Sequence, residues 1–247
     1  MGSIFQLLYL RTFAALLMAA SVAVPVHAVE VERVFRPIAK RDAKILRLEI
    51  PVGLVTVTPR LGNELEAELV LDCAGALAPC RQNAESLRIA ARRDGETQIV
   101  GFSTAHHDGD KPSTWLAWTT RSLSIPAAGT GYPRNRPLKK GGWRLTAALN
   151  LRSPRYERVE LFIGEGGVSA SRLGSSAKVH VLAGTVSLEA ESGSVRSVRV
   201  EIGKGSATLS LPRGGILRDK KIEWLEGEGE NDLTVTIEKG NARIDLR

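Results

Sequence analysis

The stretch that decides the fold runs from Val159 to Leu211, VELFIGEGGVSASRLGSSAKVHVLAGTVSLEAESGSVRSVRVEIGKGSATLSL. Glycine recurs through it at Gly164, Gly174, Gly184, Gly193 and Gly203, in steps of ten, ten, nine and ten. Between these markers lie Val159/Leu161/Ile163, Val168/Ala170, Val179/Val181, Val186/Leu188/Ala190, Val198/Val200/Ile202 and Ala207/Leu209/Leu211. Apolar residues at i, i+2 and i+4 put one face of a strand into a core. A glycine between runs supplies the positive φ that a tight turn needs. Units this small cannot bury an apolar face alone, so they stack on neighbours into a continuous core. Two arrangements fit the spacing. One is a meander of antiparallel strands, one strand between each pair of glycines. The other is a short β-solenoid of roughly 20 residues and two short strands per coil.

The same alternation extends in both directions. Leu46/Leu48/Ile50 is followed by a turn at Pro51-Val52-Gly53 and a strand at Leu54 to Thr58, and Leu65/Ala67/Leu69/Leu71 runs into Cys73. The stretch from Pro79 to Ala91 is ambiguous, with a helical turn at Gln82 to Glu85 one reading of it, and Asp94-Gly95 is a hairpin signal between Leu87/Ile89/Ala91 and Thr97 to Phe102. Leu145/Ala147/Leu149/Leu151 precedes a break at Ser153-Pro154. Past the acidic, glycine-rich loop, Leu233/Val235/Ile237 and Ala242/Ile244/Leu246 read as two final strands joined at Lys239-Gly240-Asn241. No helix of three or more turns is required. The chain reads as all-β, with an irregular β region over 29–151 and glycine repeats over 152–247 forming one continuous domain.

The first 28 residues stand apart from the fold. Arg11 gives a weakly positive start, Thr12 to Val24 is apolar, and Val26-His27-Ala28 has the small-x-small form of a cleavage site. The apolar run is shorter than the roughly twenty residues of a spanning helix. A signal peptide cleaved after Ala28 is expected, placing the mature protein in the periplasm or outside the cell, with no transmembrane span. Without Arg11 the 34 basic residues fall by one against 27 acidic, for a net charge near +6. That is too mild for a nucleic-acid footprint but favours anionic partners of the envelope. Cys73 and Cys80 are the only cysteines. In an exported protein two cysteines so close are expected to pair as a disulfide.

The run from Gly166 to Val195, GGVSASRLGSSAKVHVLAGTVSLEAESGSV, resembles the adhesin-like β-solenoid domains of bacterial exported proteins, a family of unknown function. An upstream strand pair like Ile45 to Thr58, and a strand like Arg144 to Leu151 leading through a proline into the repeats, extend the resemblance over most of the mature chain. The cysteine loop and the basic insertion before Gly142 depart from that pattern. The resemblance implies a β-solenoid with a non-catalytic interaction or structural role, and it offers no catalytic residues to carry over.

The chemistry-bearing residues point the same way. There is no G-x-S-x-G, and His180 alternates out of phase with Val179 and Val181, so it points away from their face. His106-His107-Asp108-Gly109-Asp110 has metal-ligand residue types, but adjacent residues rarely hold one ion together, and a solvated loop is the simpler reading. Glu226, Glu228, Glu230 and Asp232 could line up carboxylates for calcium, yet they lack the order of a calcium loop and read as a flexible acidic connection. Glu189, Glu191 and Glu201 are the acids to weigh for a carbohydrate-active β-helix, the alternative to a binding module. Neither a metal, nor a cofactor, nor an enzymatic centre is expected. The most concentrated basic and aromatic stretch is Arg134, Arg136, Lys139, Lys140, Trp143 and Arg144, a candidate patch for an anionic glycan or lipid. Another envelope protein is the remaining class of partner.

Overall fold

A computed structural model describes residues 29–85, 87–104, 143–212 and 214–247. In chain order these form β1 (Val29–Ala39), β2 (Ile45–Pro59), β3 (Glu64–Gly75), α1 (Leu77–Ala84), β4 (Leu87–Asp94), β5 (Thr97–Thr104), β6 (Trp143–Ser153), β7 (Arg158–Leu173), β8 (Ser176–Ala190), β9 (Val195–Ser210), β10 (Ile216–Asp219), β11 (Lys221–Trp224) and β12 (Asn231–Leu246). The expected signal region 1–28 lies outside the described residues. The protein is all-β, with α1 and a short 3-10 turn at Ser192–Ser194 as its described helical segments.

Five long strands, β2, β7, β8, β12 and β9, lie side by side in that order and all run parallel. Each is bent at one glycine, and the five glycines are in register: Gly53, Gly166, Gly184, Gly240 and Gly205. Their φ angles lie between 135° and 155°, a region L side chains rarely enter. The close approach is a second requirement. A Cβ on Gly166 would lie 1.8 Å from the Gly53 carbonyl oxygen, and one on Gly240 would lie 1.7 Å from that of Gly184. The glycines therefore form a spine in which each layer's backbone seats directly on the next.

The bend reverses which residues face inward. Before it the odd-numbered positions of β8 are buried, at Ala177, Val179 and Val181; after it Val186, Leu188 and Ala190 are buried, starting five residues on from Val181. The other strands repeat this step, as in Ile163 to Val168, Ile202 to Ala207 and Ile237 to Ala242. Both arms of every strand thus turn their apolar side chains to one core cluster, which runs from Ile38 to Leu246 and includes residues on both sides of position 151.

Three expectations are corrected here. Lys239-Gly240-Asn241 does not join two strands, and Pro51-Val52-Gly53 does not separate two, because both lie within single bent strands, β12 and β2. The strand ladder continues through the corner since the glycine bend changes direction without reversing the chain. The regular ten-residue spacing also mixes two structural roles. Gly184 is a corner, whereas Gly174 and Gly193 lie in the connections at the far ends of the arms, where an added Cβ meets nothing within 4 Å. The other two corners between Val159 and Leu211 are Gly166 and Gly205, two residues beyond Gly164 and Gly203.

Parallel register rules out the antiparallel meander for these repeats. Arg158 stands beside Ser176, so equivalent positions of β7 and β8 are 18 residues apart. The sheet as a whole is open, and its order departs from a simple progression, because β12 lies between β8 and β9. At either end of the bent stack the two arms are covered by different strands. On β2, Ile45–Glu49 pairs with β5 and Leu54–Pro59 pairs with β6. On β9, Val198–Glu201 pairs with β11 and Ala207–Ser210 pairs with β10. β3 and β1 continue the sheet beyond β6 in antiparallel fashion. β4 and β5 form the hairpin expected at Asp94-Gly95, with Asp94 opposite Thr97 and Gly95 at φ 56°.

Candidate functional site

The ends of the arms, away from the glycine spine, carry the connections between layers. Arg60 N–H donates to the Ser153 carbonyl and Lys40 N–H to that of Asn63, so the turns after β1, β2 and β6 meet. Beneath them Tyr156 is 2% exposed, and its hydroxyl donates to Gln98 Oε1 at 2.9 Å. Burial pushes the Tyr156 phenol well above its ordinary pKa. Lys40 lies over its ring, 5.0 Å from the centroid, and Lys40 Nζ donates to the Arg155 carbonyl at 2.5 Å.

This rim holds a cleft of about 370 Å³ between the turn after β2, the β6–β7 connection and the end of β7. Pro154, Val159 and Leu173 supply apolar lining, and Leu61 stands at the wall 96% exposed. Arg60, Arg155 and Arg172 also line it, with no aspartate or glutamate among the lining residues. Arg60 is ion-paired with Glu66. Arg155 and Arg172 are exposed and have no carboxylate partner among the described residues. Lys40 also lines a second cleft, of about 290 Å³, together with Arg36, Arg41, Arg92 and Arg93, again without a lining carboxylate. Two of the described non-glycine residues at positive φ, Arg41 at 50° and Arg172 at 51°, belong to this rim.

Arg172 owes its position to an irregularity in β7. Ala170 pairs with Leu188 and Leu173 with Ala190, so β7 carries one residue more than β8 over that step. A bulge with one residue in the left-handed region takes up the excess. The same tripeptide occurs at the ends of two adjacent strands, as Arg60-Leu61-Gly62 after β2 and Arg172-Leu173-Gly174 at the end of β7. The bulge turns Leu173 into the core, whereas Leu61 stays outside.

Several arginines on other surfaces are ion-paired. Arg47 pairs with the buried Glu160 at 2.7 Å, Arg199 with Glu223 at 3.2 Å, and Arg247 with Glu189 at 3.0 Å. Glu191 is exposed, and Glu201 is exposed in register with Lys221. His180 is half-buried on the outward face, its ring 6.4 Å from that of Phe162. The acidic strip does not gather: Glu226, Glu228 and Glu230 are exposed, while Asp232 is held by Arg196 and by the Ser197 hydroxyl at 2.6 Å. No cluster of three or more histidine, cysteine or acidic residues placed to hold a metal occurs among the described residues.

Cys73 and Cys80 are joined in a disulfide that ties β3 to α1, with Cα atoms 5.9 Å apart. The helical turn expected near Gln82 is the latter half of α1. Of the basic and aromatic patch, Arg134, Arg136, Lys139 and Lys140 lie outside the described residues, as do His106 to Asp110. Trp143 and Arg144 open β6, opposite Gly75 and Ala74 and next to the disulfide. The rim arginines escaped the sequence reading because they come from separate turns, far apart in the chain. The repeated Arg-Leu-Gly was the signal that could have found two of them.

These features define an all-β protein with an open, bent sheet and a cationic rim. No family model matches the chain, and no curated protein matches it. Among solved structures it is similar to a "putative cell adhesion protein" from Clostridium sporogenes, with 12% identity and a TM-score of 0.43, over 87% of this chain and 99% of that one. It is also similar to a "putative adhesin" from Parabacteroides merdae, with 8% identity and a TM-score of 0.25, over 86% of this chain and 78% of that one. No described helix is long and apolar enough to cross a membrane.

Proposed function

We propose that this chain is an exported protein of the cell envelope that acts without catalysis, as an adhesin-like interaction or structural module built on an open, glycine-cornered solenoid. Its cationic rim is the contact face for an anionic envelope component. The observation that carries this reading is the rim itself. Arginines are paired with carboxylates over much of the outward surface, yet Arg155 and Arg172 stand together in a cleft without one. A cluster of one sign attracts a partner of the other. The Cys73–Cys80 disulfide supports export, since such bonds persist in oxidising compartments.

The test is retention of the chain from Val29 onward on washed envelope fractions. Retention at low salt that falls steeply as salt is raised is the expected result. Release of new reducing or unsaturated sugar ends from envelope glycans by the purified protein would overturn the reading in favour of a carbohydrate-active enzyme.

A further inference from the structure

We infer that the cleft between the Arg60-Leu61-Gly62 turn and the Arg172-Leu173-Gly174 turn is a binding site for the head and upper acyl chain of an anionic membrane lipid. This inference rests on the reading of the chain as an envelope protein and specifies the ligand class.

Two properties of the cleft meet in such a ligand. The guanidiniums of Arg155 and Arg172 have no carboxylate partner among the described residues, and none lines the cleft. Guanidinium groups bind phosphate oxygens with paired, charge-assisted hydrogen bonds. The rest of the lining is largely apolar, with Pro154, Val159 and Leu173 along it and Leu61 almost wholly in water. Leu61 at the mouth of this cleft gains stabilisation from a ligand that covers it with an apolar segment, and gains none from one that leaves it in water. An acyl chain covers it. The volume of about 370 Å³ lies at the small end of the range for ligand pockets, enough for a head group and the first part of one chain rather than a whole lipid. Arg172 is held at φ 51° by the β7 bulge, and non-glycine residues fixed in that region cluster at binding sites. Lys40 and the neighbouring basic cleft extend the positive potential on the same rim, which brings an anionic surface to it in the right orientation.

The experiment is co-sedimentation of the chain from Val29 onward with vesicles of phosphatidylglycerol mixed with phosphatidylcholine, and with vesicles of phosphatidylcholine alone. Binding to the mixed vesicles and not to pure phosphatidylcholine is expected. Arg155→Gln with Arg172→Gln should weaken it about thirtyfold, since each basic residue near an anionic surface contributes about a factor of five. Leu61→Ser should weaken it roughly tenfold through lost apolar burial. Arg218→Gln with Lys220→Gln removes the same charge at the far edge of the sheet, and should leave most of the binding intact. All of these side chains are exposed, and matching melting curves will show that each variant is folded. Equal binding to both kinds of vesicle, or an equal loss in the two double variants, overturns the site. Absence of vesicle binding with salt-sensitive retention on delipidated envelope overturns the lipid assignment while leaving the wider reading in place.

Discussion

The Cα of Gly184 sits against the carbonyl oxygen of Gly166 so closely that a Cβ at Gly184 would be 1.7 Å from it. No side-chain rearrangement relieves such a contact, because both groups belong to backbone held in a parallel ladder. The position also has φ 154°, so alanine there meets two obstacles at once.

Gly184→Ala should therefore abolish cooperative folding or yield only insoluble protein. Gly174→Ala, ten residues earlier, should melt close to the unmodified protein, because its connection leaves the added methyl in open space. Circular dichroism melts of the pair will check this. Similar damage at both positions would show that the corner is not the structural requirement.

Leu188 and Ser187 face opposite sides of β8, one in the core and one exposed. Leu188→Asp buries a carboxylate with no partner at that layer, costing several kcal/mol whether it stays charged or takes up a proton. Against a total stability of about 5–15 kcal/mol, the stack should loosen or unfold. Ser187→Asp should shift the melting temperature little, and a denaturant titration of both variants gives the comparison.

The disulfide closes a short loop between β3 and α1. In the chain-entropy picture a loop of this size contributes about 2–3 kcal/mol. Cys73→Ser with Cys80→Ser should lower stability by that order while far-ultraviolet dichroism keeps its β signature. On the oxidised protein, thiol alkylation without reductant should label neither cysteine.

Acid should act in part through Asp232. The Arg196 guanidinium first, and the Ser197 hydroxyl next, hold its carboxyl below the ordinary value of 3.8. A folded-state value lower than the unfolded one means that the carboxylate's contribution is complete above 3.8 and is lost as pH falls through the folded value. The melting-temperature gap between the unmodified protein and Asp232→Asn should be steady near neutral pH and close as the pH drops below 3.8. A gap that widens on acidification would contradict this sign.

Alternation alone placed most of the core. Leu46, Leu48, Leu65, Leu69, Leu145, Leu149, Val179 and Val235 all point inward as period two requires. The disulfide and the Asp94-Gly95 hairpin were legible because each is written in neighbouring residues. The corners were harder. From Val181 to Val186, or Ile237 to Ala242, the inward face moves by five, and a turn between two strands produces the same change of phase as a bend within one. The pairing of Gly166 with Gly184, and of Gly184 with Gly240, depends on which strands become neighbours. That is settled by packing over long separations. The rim was least legible, since Lys40, Arg60 and Arg155 come from three different connections and Arg172 from a bulge in β7.

β12 has a consequence for how the molecule is assembled. It lies between β8 and β9 although both precede it in the chain, and it is hydrogen-bonded to each in parallel. The edges of β8 and β9 that face each other across it therefore have no backbone partner except β12. The end of the chain thus closes the middle of the sheet rather than its margin, and losing the segment from Asn231 onward would open two ladders at once.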